Sequence, residues 1–290
     1  MDRRDDPPGG AVSVRQVLID GPDGRHLAAF ERAGRGTPVL FLGGLLVPAA
    51  SWLPVIAALP GRRCIALDYR GQGASAAIPG DVPQVPFATH LDDVLGAIAR
   101  LVPGRCHVVG LSLGGMLGIE VALARPRVMA SLCMISTSAD GELAENLPGY
   151  RALIDGIAAG GLAGPLLEAV LKLYLSPAAY ADAAADAPRA ILTNYLTGMD
   201  RHAVVAHCRG ITDRPSCMRD LHRIQLPTLA LIGEDDQIVS QVRLRATAAL
   251  IPGCLVCSSA DGGHIPSLER PLRTARILGD FLDQVDTASR

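Results

Sequence analysis

Three short stretches of this chain carry the residue types of nucleophilic catalysis. The first is Gly110-Leu111-Ser112-Leu113-Gly114-Gly115, a serine with glycine two residues to either side. The second is Gly233-Glu234-Asp235-Asp236-Gln237-Ile238-Val239, rich in carboxylates. The third, Asp261-Gly262-Gly263-His264-Ile265-Pro266, holds a histidine. A serine hydroxyl is a poor nucleophile until a base takes its proton, and the base needs a third group to orient it. Serine, acid and histidine in this chain order could together attack a carbonyl carbon. Asp235 and Asp236 both stand as the acid, and Asp140, after an earlier apolar run, is a third candidate.

These residues need elements to hold them. The β-branched pair Val108-Val109 precedes the serine, and small and aliphatic residues from Met116 to Ala124 follow it. That order reads strand, very tight turn, helix. A turn this sharp forces close backbone approach and unusual φ/ψ, which glycine tolerates. It lifts the Ser112 hydroxyl above the sheet edge. Short apolar runs predict strands over Val12–Ile19, His26–Arg32, Val39–Leu42, Cys64–Leu67, Cys106–Val109, Ala130–Ile135, Leu226–Ile232 and Leu255–Cys257. Helical spacing predicts helices over Thr89–Leu101, Ser240–Leu250 and Leu268–Val285. Strands that alternate with helices imply an α/β fold with a mostly parallel central sheet flanked by helices. Active groups of such sheets gather at the carboxyl ends of strands, so all three stretches fall on one edge.

Residues 140–215 break the alternation. They are rich in Ala and Leu, and Pro165, Pro177 and Pro188 cut them into short helices. They read as an inserted helical cap between two parts of one core, 11–139 and 216–290. Residues 1–10 are charged and rich in Pro and Gly, and are expected to be disordered.

The formal net charge of −2 and an aromatic content of 3% offer nothing to nucleic acid or to an anionic membrane. Thr37 to Gly61 carries no charge, but Gly43, Gly44, Pro48, Pro54 and Pro60 interrupt it, against a membrane span. Seven cysteines lie scattered without a framework, and no signal peptide opens the chain, so a cytoplasmic protein is expected. Cys254 and Cys257 lie on a strand, where residues three apart face opposite ways, against a redox pair. No His/Cys/carboxylate cluster has metal-ligand spacing, and Gly71-Gln72-Gly73 lacks the spacing of a nucleotide loop. No cofactor and no metal are expected. His26, His90, His107 and His222 read as structural, and His202 and His207 are spaced wrongly for one helical face.

Four blocks together resemble the serine α/β-hydrolase superfamily: the Ser112 turn; Asp68-Tyr69-Arg70-Gly71-Gln72-Gly73-Ala74-Ser75; Gly233 to Val239; and Gly263-His264 with Glu269-Arg270-Pro271. The chain is most similar to small bacterial esterase and lactonase types, including 3-oxoadipate enol-lactonases and aclacinomycin-type methyl esterases. The resemblance implies Ser112 as nucleophile, His264 as base and Asp236 as acid, because Asp236 matches the acid of the family's G-x-x-D-x-x-V pattern. It implies an oxyanion hole from the backbone N–H groups of Leu113 and Leu45. Gly43 stands where the family usually has histidine, followed by Gly44. Trp52 matches the family's loop tryptophan, so Trp52 and Gly44 are expected at the substrate pocket. The implied activity is hydrolysis of a carboxylic ester or lactone through an acyl-enzyme. The same triad also serves C–C bond cleavage, non-hydrolytic rearrangement, or ligand binding on a hydrolase fold. The expected partner is a small carbonyl substrate, and a homodimer is admitted. Tyr150, Tyr174, Tyr180 and Tyr195 of the cap suit an apolar acyl group, and a dicarboxylate would need Arg201, Arg209 or Arg214 turned inward.

Overall fold

A computed structural model of the protein describes residues 13–212 and 214–288. The disorder expected of residues 1–10 lies outside the described residues. The chain forms β1 (Val14–Asp20), β2 (His26–Arg32) and β3 (Arg35–Leu42), then α1 (Leu53–Ala57) and β4 (Arg62–Leu67). It continues with α2 (Phe87–Leu101), β5 (Cys106–Leu111), α3 (Leu113–Ala124) and β6 (Met129–Ile135). Five helices follow: α4 (Leu147–Gly160), α5 (Gly164–Tyr174), α6 (Pro177–Ala181), α7 (Pro188–Gly198) and α8 (Arg201–Thr212). The last part is β7 (Thr228–Gly233), α9 (Gln241–Ala249), β8 (Leu255–Ser259), α10 (Pro266–Glu269) and α11 (Pro271–Ala288).

The strands make one eight-stranded sheet in the order β1-β2-β4-β3-β5-β6-β7-β8. β2 runs antiparallel to β1 and β4, and the other neighbours are parallel. Alternate residues of the central strands enter opposite layers, because strand side chains alternate faces. Phe41, Val109, Leu111, Cys133, Ile135 and Leu231 pack on one side, with α11 and parts of the insertion. Leu40, Leu42, Val108, Leu132, Met134 and Ile232 pack on the other, with α2, α3 and α9. Burial on both faces is why these strands read as unbroken apolar runs.

The expected single helix over Leu268–Val285 is two. Arg270 (φ −136°) separates α10 from α11, and Pro271 opens the second helix, since proline fits a helix start but not its interior. Proline also opens or nearly opens every helix from α4 to α7.

Two of the ties between the insertion and the core are buried side-chain contacts. In α8 the His207 Nδ1 lies 3.1 Å from His90 Nε2 of α2, with the rings stacked at 5.0 Å, and His207 Nε2 is 2.8 Å from the Arg70 carbonyl. Burial holds His207 neutral by pushing its pKa down to about 4. After α5, the buried Glu269 carboxylate accepts the N–H groups of Ser176 (3.1 Å) and Gly263 (3.0 Å). The second tie reaches the His264 loop itself.

All seven cysteines are free thiols. Among the described residues no helix is long and apolar enough to cross a membrane. No group of three or more His, Cys, Asp or Glu side chains gathers as metal ligands among them.

Candidate active site

Sheet register brings the three stretches together. Leu42 pairs with Gly110, so the chains leaving β3 and β5 run side by side. Gly233 pairs with Ser259, which does the same for the Asp236 and His264 loops.

Ser112 sits at φ +51° and ψ −111°, a strained conformation for a residue with a side chain. The surroundings enforce it. Its N–H donates to the Ile135 carbonyl (2.8 Å), and its carbonyl accepts the Thr137 hydroxyl (2.8 Å) and the Met116 N–H (3.0 Å). The flanking glycines are dictated by contact. A Cβ at Gly110 would lie 2.2 Å from the Gly114 carbonyl oxygen, and one at Gly114 would lie 2.3 Å from the Leu42 carbonyl oxygen. Gly110→Ala is therefore expected to destabilise the fold by more than about 3 kcal/mol, because both obstacles are backbone. Urea unfolding checks it, and a loss under about 1 kcal/mol would show that the turn can relax.

His264 Nδ1 lies 3.0 Å from both oxygens of Asp236, and the Asp236 side chain has no exposed surface. Asp236 Oδ1 also accepts the N–H groups of Ile238 (2.9 Å) and Val239 (3.0 Å). Burial alone would raise this carboxyl. The charge and hydrogen bond of His264, with the two backbone N–H groups, more than offset it and hold Asp236 below the usual carboxylate range. Among the described residues Asp235 makes only a backbone bond, its N–H donating to the Gly262 carbonyl. Asp140 is turned away: Arg243 grips both its oxygens at 2.9 Å.

The loop after β3 lies against the serine. A Cβ at Gly44 would stand 3.5 Å from Ser112 Cβ. The Gly44 carbonyl accepts the Val47 N–H (3.2 Å) in a tight turn whose third residue, Leu46, has φ +62°. In a trans peptide the next N–H points opposite to the carbonyl, so the Leu45 N–H is directed away from that turn. Neither Leu45 N–H nor Leu113 N–H meets an acceptor among the described residues. Gly43 has no room for a side chain, since a Cβ would sit 2.3 Å from the Val47 carbonyl oxygen. Other groups hold this loop in place. The Gly43 carbonyl accepts the Tyr69 hydroxyl (3.0 Å) and the Gly114 N–H (3.0 Å).

Tyr174, the last residue of α5, touches both halves of the site. Its hydroxyl donates to the Leu45 carbonyl (3.0 Å), and its own carbonyl accepts the His264 N–H (3.0 Å). Its ring meets the His264 ring edge-on, 5.5 Å between centroids.

Ser112 and His264 open into one cavity of about 540 Å³. Tyr150 and Tyr174 line it, but Tyr180 and Tyr195 do not. Tyr180 instead binds Glu168, with the Arg189 guanidinium over its ring. Of the three cap arginines named above, only Arg214 lines the cavity. Arg201 and Arg209 reach carbonyls of Ala159 and Pro83 at the surface. Trp52 is a correction: it is fully buried against Phe41, 5.1 Å between rings, and is not part of the cavity wall. It is the last residue of the helical turn Ala49–Trp52 that Pro48 leads, and it is buried there with Ala49 and Ser51. Sequence reasoning missed Tyr69, Tyr174 and Glu269 as site-positioning groups. Tyr69 and Glu269 lay inside blocks already singled out, and Tyr174 left no local signal.

Comparison with known proteins agrees with the fold. Residues 37–271 match the family of the alpha/beta hydrolase fold. The chain belongs to that family. A protein of Pseudomonas savastanoi pv. phaseolicola assigned as the carbamate hydrolase RutD is 30% identical over 263 residues, 85% of this chain and 94% of the relative. A thermophilic esterase from Thermogutta terrifontis superposes with a TM-score of 0.84 at 24% identity, over 94% of this chain and 99% of the other. The enol-lactonase of Burkholderia xenovorans LB400 gives 0.82 at 22% identity, over 92% and 100%. Likeness at these identities speaks for the fold.

Proposed function

We propose that this member of the alpha/beta hydrolase family is a serine hydrolase of carboxylic esters or lactones. The observation that carries the reading is the strained Ser112 in one cavity with a histidine whose Nδ1 is held by a buried carboxylate. In the proposed cycle the Ser112 Oγ attacks the substrate carbonyl carbon while His264 Nε2 takes the hydroxyl proton. Negative charge collects on the carbonyl oxygen, and the N–H groups of Leu45 and Leu113 receive it. The carbon–oxygen bond to the alcohol breaks, and His264 returns the proton to that oxygen. Water, deprotonated by the same imidazole, then releases the acid and frees Ser112. Asp236 stays ionised throughout and keeps the imidazolium paired and oriented. A carbamate carbonyl admits the same attack, and the relatives assigned to carbamates make that class the second reading.

The test is turnover of p-nitrophenyl butyrate with capture of the acyl group. Mass spectrometry of quenched enzyme is expected to find the butyryl adduct on the Ser112 peptide. Turnover without that adduct, with Ser112 inert to a fluorophosphonate, would sink the proposal.

Tyr174 supplies a second expectation. Tyr174→Phe keeps the ring against His264 and removes the hydroxyl that holds the Leu45 carbonyl. A loosened oxyanion loop lowers kcat by about tenfold and leaves KM within about twofold, because the loss is felt where charge develops. Equal changes in kcat and KM for a short ester, or none, would remove Tyr174 from this role.

A further inference from the structure

The cavity is not uniform along its length. The N-cap Asn146 and one face of helix α4, with Tyr150, Leu153, Ile154 and Ile157, line it. The face is polar in its first turn and apolar from its second. At the apolar end Val170 and Leu173 of α5 complete the wall. At the polar end stand Tyr150, Glu142, Arg214 and Arg243.

The charges at the polar end balance. Arg243 is closed by Asp140, two bonds of 2.9 Å. Arg214 is not closed. It is 7% exposed, and its closest hydrogen bond among the described residues goes to a neutral acceptor, the Asp140 carbonyl (2.8 Å). Its carboxylate neighbour Glu142 stands off at 3.5 Å, and the other oxygen of Glu142 is taken by Asn146 (3.0 Å). The Tyr150 hydroxyl has no hydrogen-bond partner among the described residues and lies within electrostatic range of Glu142, Arg214 and Arg243. A guanidinium has five donors, and a buried one left short of acceptors is unfavourable. In the covered part of this end Arg214 and Arg243 face Asp140 and Glu142, while Glu145 on the same wall is exposed to solvent, so a further full charge of either sign would be buried there without a partner. A neutral oxygen acceptor satisfies Arg214 and Tyr150 without upsetting the balance.

We infer that the polar end is a subsite for an uncharged hydrogen-bonding group, such as an amide, ketone or hydroxyl, at the far end of an otherwise apolar ester or lactone. The inference rests on the proposed hydrolase activity and adds its substrate class. The open donors of Arg214 and the Tyr150 hydroxyl meet the group's oxygen, and the Leu/Ile/Val wall holds the rest of the substrate.

The test is a matched set of esters on one skeleton, ending in methyl, primary amide, carboxylate or ammonium. One series carries the end group on the acyl chain and one on the alcohol. In the wild type the amide-ended ester of one series is expected to exceed its methyl counterpart by about tenfold in kcat/KM, with both charged ends below the amide. Arg214→Leu is expected to bring the amide-to-methyl ratio to about one. Glu142→Gln removes one negative charge from the balance, so the carboxylate-to-amide ratio is expected to rise about tenfold. It is the second variant should Arg214→Leu fail to fold. A wild type blind to the end group in both series overturns the subsite, as does an Arg214→Leu variant with the wild-type ratio or a Glu142→Gln variant whose carboxylate-to-amide ratio does not rise. No turnover of the methyl-ended esters, with no acyl group on Ser112, overturns the hydrolase reading itself and the subsite with it.

Discussion

Ser112→Ala is expected to lower kcat for p-nitrophenyl butyrate by about 10⁵-fold or more, the scale of losing the nucleophile of such a triad. The fold should survive the change. The hydroxyl of Ser112 takes part in no hydrogen bond that holds the turn; those bonds use its backbone N–H and C=O. Alanine has the same Cβ, so it bears the same strain at φ +51°. Loss of activity with an unchanged urea midpoint therefore reports chemistry and not unfolding. The substitution also separates two sources of rate. Leu45 and Leu113 N–H groups remain, and such oxyanion donors with substrate binding leave about 10³-fold or more over water. A variant retaining more than a tenth of wild-type kcat would place the nucleophile elsewhere.

Much of this site could be read from the chain because its constraints are local. Gly110 and Gly114 are needed by contacts within four residues of each other or with the adjacent strand, and such needs print a fixed spacing into the sequence. The central strands are legible for a related reason. Both faces are buried, so Val108-Val109, Leu132–Ile135 and Leu229–Ile232 stand out as apolar runs. The edge strand β1 is the contrast: it is mostly exposed, and Val12, where its expected start falls, lies outside the described residues.

What stayed hidden depends on contacts between distant residues. Tyr174 and Leu45 are 129 residues apart, and Ser176 and Glu269 are 93 apart. Helical periodicity marks which face of α5 is apolar, but not that its last hydroxyl meets the oxyanion loop. Tyr69 shows the same limit. Its place in the Asp68–Ser75 block is visible, yet only the folded chain brings its hydroxyl to Gly43, 26 residues away. The three cap arginines looked alike in sequence. Within α8, Arg201 and Arg209 reach surface carbonyls, whereas Arg214, beyond the end of that helix, lines the cavity. Trp52 misled because a loop tryptophan beside a pocket and one beneath it have the same sequence neighbours.

Asp236→Asn is expected to lower kcat by about 10⁴-fold, the loss known when a triad carboxylate becomes an amide. The local bonds say why. Ile238 and Val239 both donate to Oδ1, so the asparagine oxygen stays with them. The amide nitrogen then faces His264 Nδ1 and donates to it. That makes Nδ1 the acceptor and puts the imidazole proton on Nε2, where it can no longer take the proton of Ser112. Asp235→Asn is expected to stay within about threefold, because its side chain meets neither His264 nor those N–H groups. The two neighbours thus differ by three orders of magnitude or more. The pH dependence follows with a definite sign. The Asp236 pKa is lowered in the folded chain, so its pairing contributes stability above its unfolded value of about 3.9. That contribution is lost as pH falls through the lower folded value. Between neutrality and the ordinary carboxylate range Asp236 does not titrate. Urea midpoints at pH 7 and at pH 3 should accordingly differ more for the wild type than for Asp236→Asn. Similar kinetic losses at 235 and 236 would break the assignment of the acid and return attention to Asp140, despite its grip by Arg243.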